Sequence, residues 1–373
     1  MNVLETRIDL AAIAHNTAAI KQLVAPAKLM CVVKADGYNH GVEKVAPVMA
    51  EHGADEFGVA TISEACQLRE LGITQPILCW IWRPEENLEN AILNDIALAV
   101  VSYEHALALV NQPHPVHTAI KIDTGLHRSG LDECDWIKTF ELLASAAHVH
   151  VTGMFSHLAV ADDPTDDYTD YQKYNFERGI ALGRECGLEL SNNHLANSAA
   201  MLTRPDTHYD MVRPGLSLYG LDPIAGRNDL FRPALSPALS PALSWVSRVG
   251  VVKPIAAGES TSYGRSWRAP EAGFIAIIPA GYADGVPRLA QSTIEVTIGG
   301  RRYQQVGRIC MDQFVISLGQ NEHGVVAGDE AIIFGAGGMS ADEWAARLNT
   351  INYETICLPK GRTQRVYEGD ARG

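Results

Sequence analysis

Short apolar runs alternate with amphipathic stretches along the first part of the chain. The runs have the length of buried strands, and the stretches between them repeat apolar residues at helical spacing. Strands are predicted at residues 29–33, 57–60, 76–82, 96–101, 116–123, 148–156, 188–195 and 211–219, and helices at 42–51, 62–71, 84–93 and 103–110. An extra helix capped by Asp9 precedes the first strand. Strands joined by crossover helices form parallel sheets, so residues 1–230 are predicted to form an α/β domain, a (β/α)8 TIM-like barrel.

The pattern changes near residue 231. Pro-Ala-Leu-Ser occurs three times between Pro233 and Ser244, and a proline at every fourth position excludes a regular helix or a central strand. We interpret this segment as a linker. Short apolar runs punctuated by glycine follow it, and Gly299-Gly300 predicts the turn of a hairpin. Residues 231–373 are therefore predicted to form a C-terminal, mostly-β domain with one helix at 340–348.

Charge and cysteine content narrow the classes of function. The 373-residue chain has a formal net charge of -14 and contains no block of lysine and arginine, which argues against a nucleic-acid surface and favours a small-molecule partner. Its seven cysteines are scattered and form no Cys-x-x-Cys pair, so neither a disulfide framework nor a zinc site is indicated. The chain begins without a leader-like segment and has no long apolar run, and we expect a cytoplasmic protein that is not bound to a membrane.

Polar residues follow several of the predicted barrel strands, where the reactive groups of such barrels lie. Lys34 follows the apolar run 29–33 directly and is a candidate catalytic amine. The ends of later strands lead into the segment 124–130, which contains Arg128, and into His157, Ser198 and Arg213. Each of them taken alone is compatible with an ordinary loop residue, and Lys34 with a solvated lysine. Five strand ends of this kind together indicate a site.

These segments resemble the alanine racemase family, pyridoxal-phosphate enzymes built from an N-terminal barrel and a C-terminal β domain. The resemblance covers nearly the whole chain and is carried by VVKADGYNHG, KIDTGLHRSG, FSHLA, HLANSAA, VRPGLSLYG, STSYGRSW, AGYADG and VGRICMDQ, in the order of the family. The triplicated Pro-Ala-Leu-Ser is a departure, because the family usually has one copy. It affects the domain junction and none of the residues that carry chemistry.

The resemblance implies that the cofactor is pyridoxal 5'-phosphate, bound as a Schiff base by Lys34. It also implies two bases, Lys34 on one face of the substrate Cα and Tyr263 on the other. The family's phosphate ligands match Tyr38, Ser198, Gly215, Leu216 and Tyr353. Arg213 would face the pyridine nitrogen, oriented by a hydrogen bond from His157.

The remaining implied residues concern the substrate and the assembly. Arg128, Met311, Asp312 and Tyr282 would bind the substrate, alanine, and Lys121 would be carbamylated, the alternative being a plain lysine with an ordinary counterion. The family forms homodimers in which Tyr263, Met311 and Asp312 reach the lysine of the other subunit. Its product, D-alanine, serves peptidoglycan synthesis, and alanine catabolism is the other role.

Other functions remain open at this stage. A racemase for another small amino acid, such as serine, would share these motifs, although Tyr353 and Met311 favour a methyl-sized side chain. A non-catalytic pyridoxal-phosphate-binding protein would share the barrel and lack both the second domain and Tyr263. A related decarboxylase would carry a glycine-triplet phosphate loop, and a metal-dependent hydrolase would carry clustered histidine and aspartate ligands; the sequence contains neither.

Overall fold

The structure, a computed structural model, describes residues 2–163, 165–224 and 239–369. The strands are β1 Leu4–Asp9, β2 Lys28–Val32, β3 Glu56–Thr61, β4 Ile77–Ile81, β5 Ile96–Leu98, β6 Val116–Lys121, β7 Val149–Phe155, β8 Met211–Val212, β9 Leu243–Arg248, β10 Val251–Ile255, β11 Ser260–Thr261, β12 Trp267–Arg268, β13 Gly273–Ile278, β14 Glu295–Ile298, β15 Arg301–Val306, β16 Phe314–Gly319, β17 Glu330–Phe334 and β18 Gln364–Glu368. The helices are α1 Leu10–Val24, α2 Lys34–Tyr38, α3 Val42–Glu51, α4 Ile62–Glu70, α5 Glu89–Leu93, α6 Tyr103–Val110, α7 Trp136–Ser145, α8 Tyr168–Glu185, α9 Ser198–Thr203, α10 Ala341–Leu348 and α11 Asn352–Ile356.

The chain divides into two compact units, and Ile13–Leu218 belong to the larger one, the barrel unit. Five of its strands pair in parallel in the order β5-β4-β3-β2-β8, and β6 pairs in parallel with β7. A bridge between Val100 and Ile120 joins these two groups, and a bridge between Phe155 and His194 adds the segment around His194. The amides of Asp210 and Arg213, which flank β8, donate to the carbonyls of Asn193 and Ala196 on that segment. These hydrogen bonds connect the segment to β8. The predicted eight-membered barrel is confirmed.

Apolar side chains fill the inside of the barrel. Its strands carry near-continuous apolar residues because both of their faces are covered. The cluster at its centre takes residues from separate strands and consists of Met30, Leu78, Ala99, Ala119, Phe155 and Met211. A packed interior of this kind leaves the ends of the strands as the place for a site.

The other unit, the β unit, contains the N-terminal segment through Ala12 and the chain from Ser240 onward. Its main sheet has nine strands in the order β10-β13-β16-β15-β14-β17-β9-β1-β18. Trp245, Phe334 and Trp344 pack against one another beside it, with ring centroids 5.5 to 6.3 Å apart. The predicted C-terminal, mostly-β domain is confirmed in this architecture.

Several details differ from the sequence prediction. In the strand predicted at 188–195, only His194 forms a bridge. Strand β1, which we did not predict, pairs with β9 and β18 in the β unit, although residues 1–230 had been assigned to the barrel. The strand predicted at 211–219 ends at Val212, and a 3-10 helix occupies Leu216–Tyr219. The helix predicted at 84–93 begins only at Glu89. The predicted linker lies mostly outside the described residues.

The predicted hairpin is confirmed. Strand β14 pairs antiparallel with β15, and Ile298 faces Arg301. Gly299 and Gly300, which form the turn, have φ values of 57° and 77°. Two successive positive φ angles are the requirement of a two-residue hairpin turn whose twist matches that of its strands.

Candidate active site

Lys34 stands at the start of an unusual helical turn, α2. The φ angles of Ala35, Asp36 and Tyr38 are 53°, 54° and 53°, in the left-handed region that residues other than glycine rarely adopt. Two carboxylates support this conformation: Glu64 accepts from the Ala35 amide at 2.7 Å, and Asp36 accepts from the Val42 amide at 2.8 Å. Strain of this kind persists where the surroundings impose it, and it concentrates at functional sites.

The turn directs the amine of Lys34 between two aromatic rings. Its Nζ lies 5.9 Å from the ring centroid of Tyr38 and 5.9 Å from that of Trp80, which belongs to β4. Both rings are within the range of cation–π attraction. The amine is therefore confined at the carboxyl end of β2.

Cations surround this position. Lys121 is buried at the end of β6, and its pKa is lowered to about 8 by burial and by the charges of Arg213, Arg128 and Lys34. Burial and the same group of cations lower the pKa of His157 to about 3, so its imidazole is neutral at physiological pH. Four cationic side chains that converge on one mouth of the barrel form a binding site for anionic groups.

Arg213 is held rigidly inside the barrel unit. Its guanidinium donates to Nδ1 and to the carbonyl of His194 at 2.8 Å each, and to the carbonyl of Ser156 at 2.6 Å. Burial lowers the pKa of Arg213 to about 9, which leaves it protonated at neutral pH.

The predicted hydrogen bond from His157 to Arg213 is wrong, because His194 occupies that position. The ring of His194 stacks on Phe155, with centroids 5.0 Å apart, and burial lowers the pKa of His194 well below its ordinary value. A neutral imidazole has one ring nitrogen without a hydrogen, and this nitrogen can accept the hydrogen bond that Arg213 donates. His157 instead faces the cation group.

Ser198, Gly215 and Tyr38 form a small cradle. The hydroxyl of Ser198, the first residue of α9, accepts from the amides of Gly215 at 3.0 Å and Ser217 at 3.4 Å. A Cβ atom on Gly215 would lie 2.2 Å from the Tyr38 hydroxyl, so only glycine allows this ring to approach. Leu216, fully buried, begins the next turn. Hydroxyl and amide donors of this kind suit a phosphate group.

The other predicted site residues belong to the β unit. Tyr263 is 71% exposed and Met311 is 52% exposed. Tyr263 lies in a tight turn in which Ser262 and Arg265 have φ values of 64° and 50°. The Ser262 hydroxyl ties this turn to the carbonyl of Arg308 at 2.9 Å. Tyr282, Asp312 and Tyr353 lie in other segments of the same unit.

Comparison with known families identifies both parts of the chain. Residues 8–223 match the family model described as alanine racemase, N-terminal domain, and residues 242–367 match the one described as alanine racemase, C-terminal domain. The chain belongs to the alanine racemase family.

Individual relatives agree over the full length. The alanine racemase of Corynebacterium glutamicum is 58% identical over 98% of this chain and 100% of its own, and that of Mycolicibacterium vanbaalenii is 43% identical over 98% and 95%. A crystal structure of the alanine racemase from Corynebacterium glutamicum matches 99% of this chain and all of its own, with 55% identity and a TM-score of 0.89. The alanine racemase from D-cycloserine-producing Streptomyces lavendulae matches 99% and 98%, with 36% identity and a TM-score of 0.93.

The structure thus groups the predicted residues of this alanine racemase family member by unit. Lys34, Tyr38, Lys121, Arg128, His157, Ser198, Arg213, Gly215 and Leu216 lie in the barrel unit, and Tyr263, Tyr282, Met311, Asp312 and Tyr353 lie in the β unit. Sequence reasoning did not assign roles to Trp80, Glu64 and His194. The motif HLANSAA contains His194 and could have drawn attention to it. The contacts of Glu64, on α4, and Trp80, on β4, with α2 arise only in the folded barrel and have no local signal.

Two further properties of the described residues bear on the class of site. None of their helices has the length and apolar content needed to cross a membrane. No three or more histidine, cysteine, aspartate or glutamate side chains among them are arranged to hold a metal ion.

Proposed function

We propose that this chain is a pyridoxal-phosphate-dependent racemase that interconverts L-alanine and D-alanine. The observation that carries the proposal is the position of Lys34, confined at the end of a barrel strand beside a cation group and a hydroxyl–amide cradle. This combination meets the needs of a cofactor that has an aldehyde and a phosphate. Membership of the alanine racemase family supports the same activity.

The residues of the barrel unit fit the cofactor. Ser198, Tyr38 and the amides near Gly215 would hold its phosphate, and Lys34 would bind its aldehyde carbon covalently. Pyridoxal phosphate supplies an electron sink that makes the Cα proton of a bound amino acid acidic. Arg213 would face the ring nitrogen and, as a guanidinium that keeps its proton, leave that nitrogen unprotonated and the sink weak. Weak withdrawal limits side reactions such as transamination.

Two bases would move the Cα proton. The amine of Lys34 would remove or return the proton on one face of the substrate, and the phenol of Tyr263 would do so on the opposite face. Arg128 would bind the substrate carboxylate, with Met311, Asp312 and Tyr282 at the same end of the substrate. The similar proteins and crystal structures are named alanine racemases, which supports alanine over serine as the substrate.

Lys121 is the residue for which we propose carbamylation. A buried amine with a lowered pKa has a neutral fraction that can attack the carbon of CO2, forming an N–C bond and releasing one proton. The product is an anion among Arg128, Arg213 and Lys34, where an ammonium would be repelled. It would fix Arg128 for substrate binding.

We also propose a homodimer with shared active sites in the cytoplasm. Tyr263, Tyr282 and Met311 are exposed apolar or aromatic side chains on the β unit, a composition typical of surfaces that bind another protein. The partner of this surface would be the barrel mouth of a second copy. The cysteines, all described and all free, are typical of a reducing compartment. D-alanine for peptidoglycan, or alanine catabolism, is the expected role.

The test of the proposed function replaces Lys34. The purified protein should show an absorption band near about 420 nm that borohydride removes, and it should racemise alanine. Lys34→Ala should abolish both, whereas Lys44→Ala, which removes an exposed lysine of the same unit, should change neither. Cofactor fixed by borohydride to a peptide other than the one containing Lys34 would overturn the assignment.

A further inference from the structure

Arg362, just before β18, lies between two carboxylates of the β unit. Its Nε and Nη2 donate to Asp284 at 2.9 and 2.6 Å, and its Nη1 lies 3.0 Å from Oδ1 of Asp312. One guanidinium therefore joins a side chain of the AGYADG segment to a side chain of the ICMDQ segment. No sequence motif that we considered includes Arg362.

The first carboxylate fixes the guanidinium. The side chain of Asp284 has no exposed surface, and it also accepts from the Gly281 amide at 3.0 Å. Burial would raise the pKa of Asp284, but the hydrogen bonds from Arg362 and Gly281 bring this pKa below its ordinary value. A buried carboxylate without its partner is strongly unfavourable, so the Asp284 pair sets the orientation of Arg362.

The AGYADG and ICMDQ segments also lie directly against each other. The Tyr282 amide donates to the carbonyl of Cys310 at 3.1 Å, and the Ala283 amide donates to that of Met311 at 3.0 Å. A Cβ atom on Gly281 would lie 2.2 Å from the Met311 carbonyl oxygen. The backbones are thus fixed, while the side chain of Asp312 is 63% exposed and, among the described residues, its ion pair with Arg362 is the contact that restrains it.

We propose that Arg362 is a positioning residue for the substrate: it holds the side-chain carboxylate of Asp312, next to Met311, in the orientation used for alanine. This inference rests on the proposed function. An exposed ion pair between two mobile side chains is weak because ordering both is unfavourable. Here two hydrogen bonds to the buried carboxylate of Asp284 orient the guanidinium of Arg362, whose side chain is 55% exposed, so that Asp312 pairs with a donor that is already positioned.

Arg362→Lys is the primary variant. A lysine carries a point charge and lacks the planar fork that engages both carboxylates. We expect the KM for L-alanine to rise about tenfold while kcat falls less than about threefold, because the bases are untouched. Arg302→Lys is the matched control: Arg302 forms a two-bonded pair with Glu343 in the same unit, at 2.6 and 2.9 Å. The KM of the Arg302→Lys variant should equal that of the wild type.

A double-mutant cycle tests whether Arg362 acts through Asp312. In the Asp312→Asn background, Arg362→Lys should raise KM by less than about twofold further. Arg362→Ala should regain a lower KM when guanidinium ions are added, but not when urea is added. A purely structural role would lower the unfolding midpoint, leave KM unchanged and show no rescue. If the buried Asp284 charge prevents Arg362→Lys from folding, Asp284→Asn combined with Arg362→Lys should fold and show the same rise in KM.

The outcomes separate the two proposals. Wild-type protein that racemises alanine, with an Arg362→Lys variant whose KM matches that of Arg302→Lys, overturns the positioning role alone. Additive effects of Arg362→Lys and Asp312→Asn also overturn it. Absence of alanine racemisation by the cofactor-loaded wild type overturns the proposed function and this inference together.

Discussion

At the scale of single residues, Lys121 is a buried amine whose pKa depends on its neighbours. Burial and the adjacent cations lower its pKa from 10.5 to about 8. Between these two values the unfolded chain holds a proton that the folded protein has lost, so this group makes stability rise with pH across that window. Below about pH 8 the unmodified amine is largely charged in both the folded and the unfolded chain, and this rise of stability with pH is absent.

We therefore predict that bicarbonate modifies Lys121 in a pH-dependent way. Carbon-13 NMR after addition of labelled bicarbonate should show a carbamate resonance that strengthens from about pH 7 to 9, because the neutral fraction of the amine grows through its pKa. Lys121→Ala should lack the signal and racemise more slowly. A resonance that persists in Lys121→Ala would assign the modification to another lysine.

Arg213 supports a prediction about reaction partition. If Arg213 faces the ring nitrogen of the cofactor as proposed, Arg213→Glu would place a carboxylate opposite that nitrogen, favour its protonation and strengthen the electron sink. Racemisation should slow, and the ratio of transamination to racemisation should rise. Chromatographic detection of pyruvate and of the amine form of the cofactor measures this ratio. An unchanged ratio in a variant that still binds the cofactor would mean that Arg213 does not face the ring nitrogen.

The residues show how far the sequence could predict the site. Lys121 and Arg213 lie inside the strands predicted at 116–123 and 211–219, and only the structure places them at the end of β6 and directly after β8. The position of Lys34 could be inferred from the order of residues alone, because it follows an apolar run. The partner of Arg213 could not, because His157 and His194 both belong to motifs of the barrel and only the hydrogen bond in the folded structure decides between them. Arg362 gives no sequence signal, since its two carboxylates come from segments about 50 and 80 residues away.

At the scale of elements, the turn after β2 and the turn before the 3-10 helix at Leu216 depend on each other. Gly215→Ala would place a methyl group against the Tyr38 ring. Overpacking of this kind costs about 1–3 kcal/mol. We predict a lower free energy of unfolding in urea and an affinity for pyridoxal phosphate weakened by at least about tenfold, since the displaced ring belongs to the phosphate cradle.

Gly250→Ala is the control for this prediction. Its added Cβ would have no neighbour closer than 3.5 Å, so both quantities should stay near those of the wild type. Equal cofactor affinity in the two variants, measured by absorbance titration, would argue that Tyr38 and Gly215 do not contribute to phosphate binding.

The predictions of individual helices and strands are confirmed where the local sequence pattern agrees with the contacts made in the folded protein. The hairpin at Gly299-Gly300 and helix α10, capped by Ser340, are of this kind. Strand β1 was missed because Leu4, Thr6 and Ile8 alternate with the charged Glu5, Arg7 and Asp9 over only six residues. Arg7 and Glu330 form an ion pair at 2.7 Å, which makes these charges compatible with a central strand. That compensation depends on a strand more than 300 residues away.

At the scale of the whole molecule, the division of the site residues between two units leads to a prediction for mixed dimers. Lys34→Ala and Tyr263→Phe, each inactive alone, are unfolded and refolded together. If Lys34 of one subunit works with Tyr263 of the other, random pairing should restore about a quarter of the wild-type sites. Each mutant refolded alone is the control. Heterodimers confirmed by mass that recover no activity would count against shared sites.

Strand β1 has a consequence for the way the protein is made. It lies between β9 and β18, yet the ribosome synthesises it roughly 10 to 50 s before β9 and roughly 20 to 70 s before β18, at the usual rates of about 5–20 residues per second. The barrel segment can fold in that interval, while β1 does not yet have its partner strands. The nine-stranded sheet is completed only when Gln364–Glu368 has left the ribosome. Translation of the β18 segment thus completes a sheet in which β1, an interior strand next to the edge, was synthesised before the other eight strands.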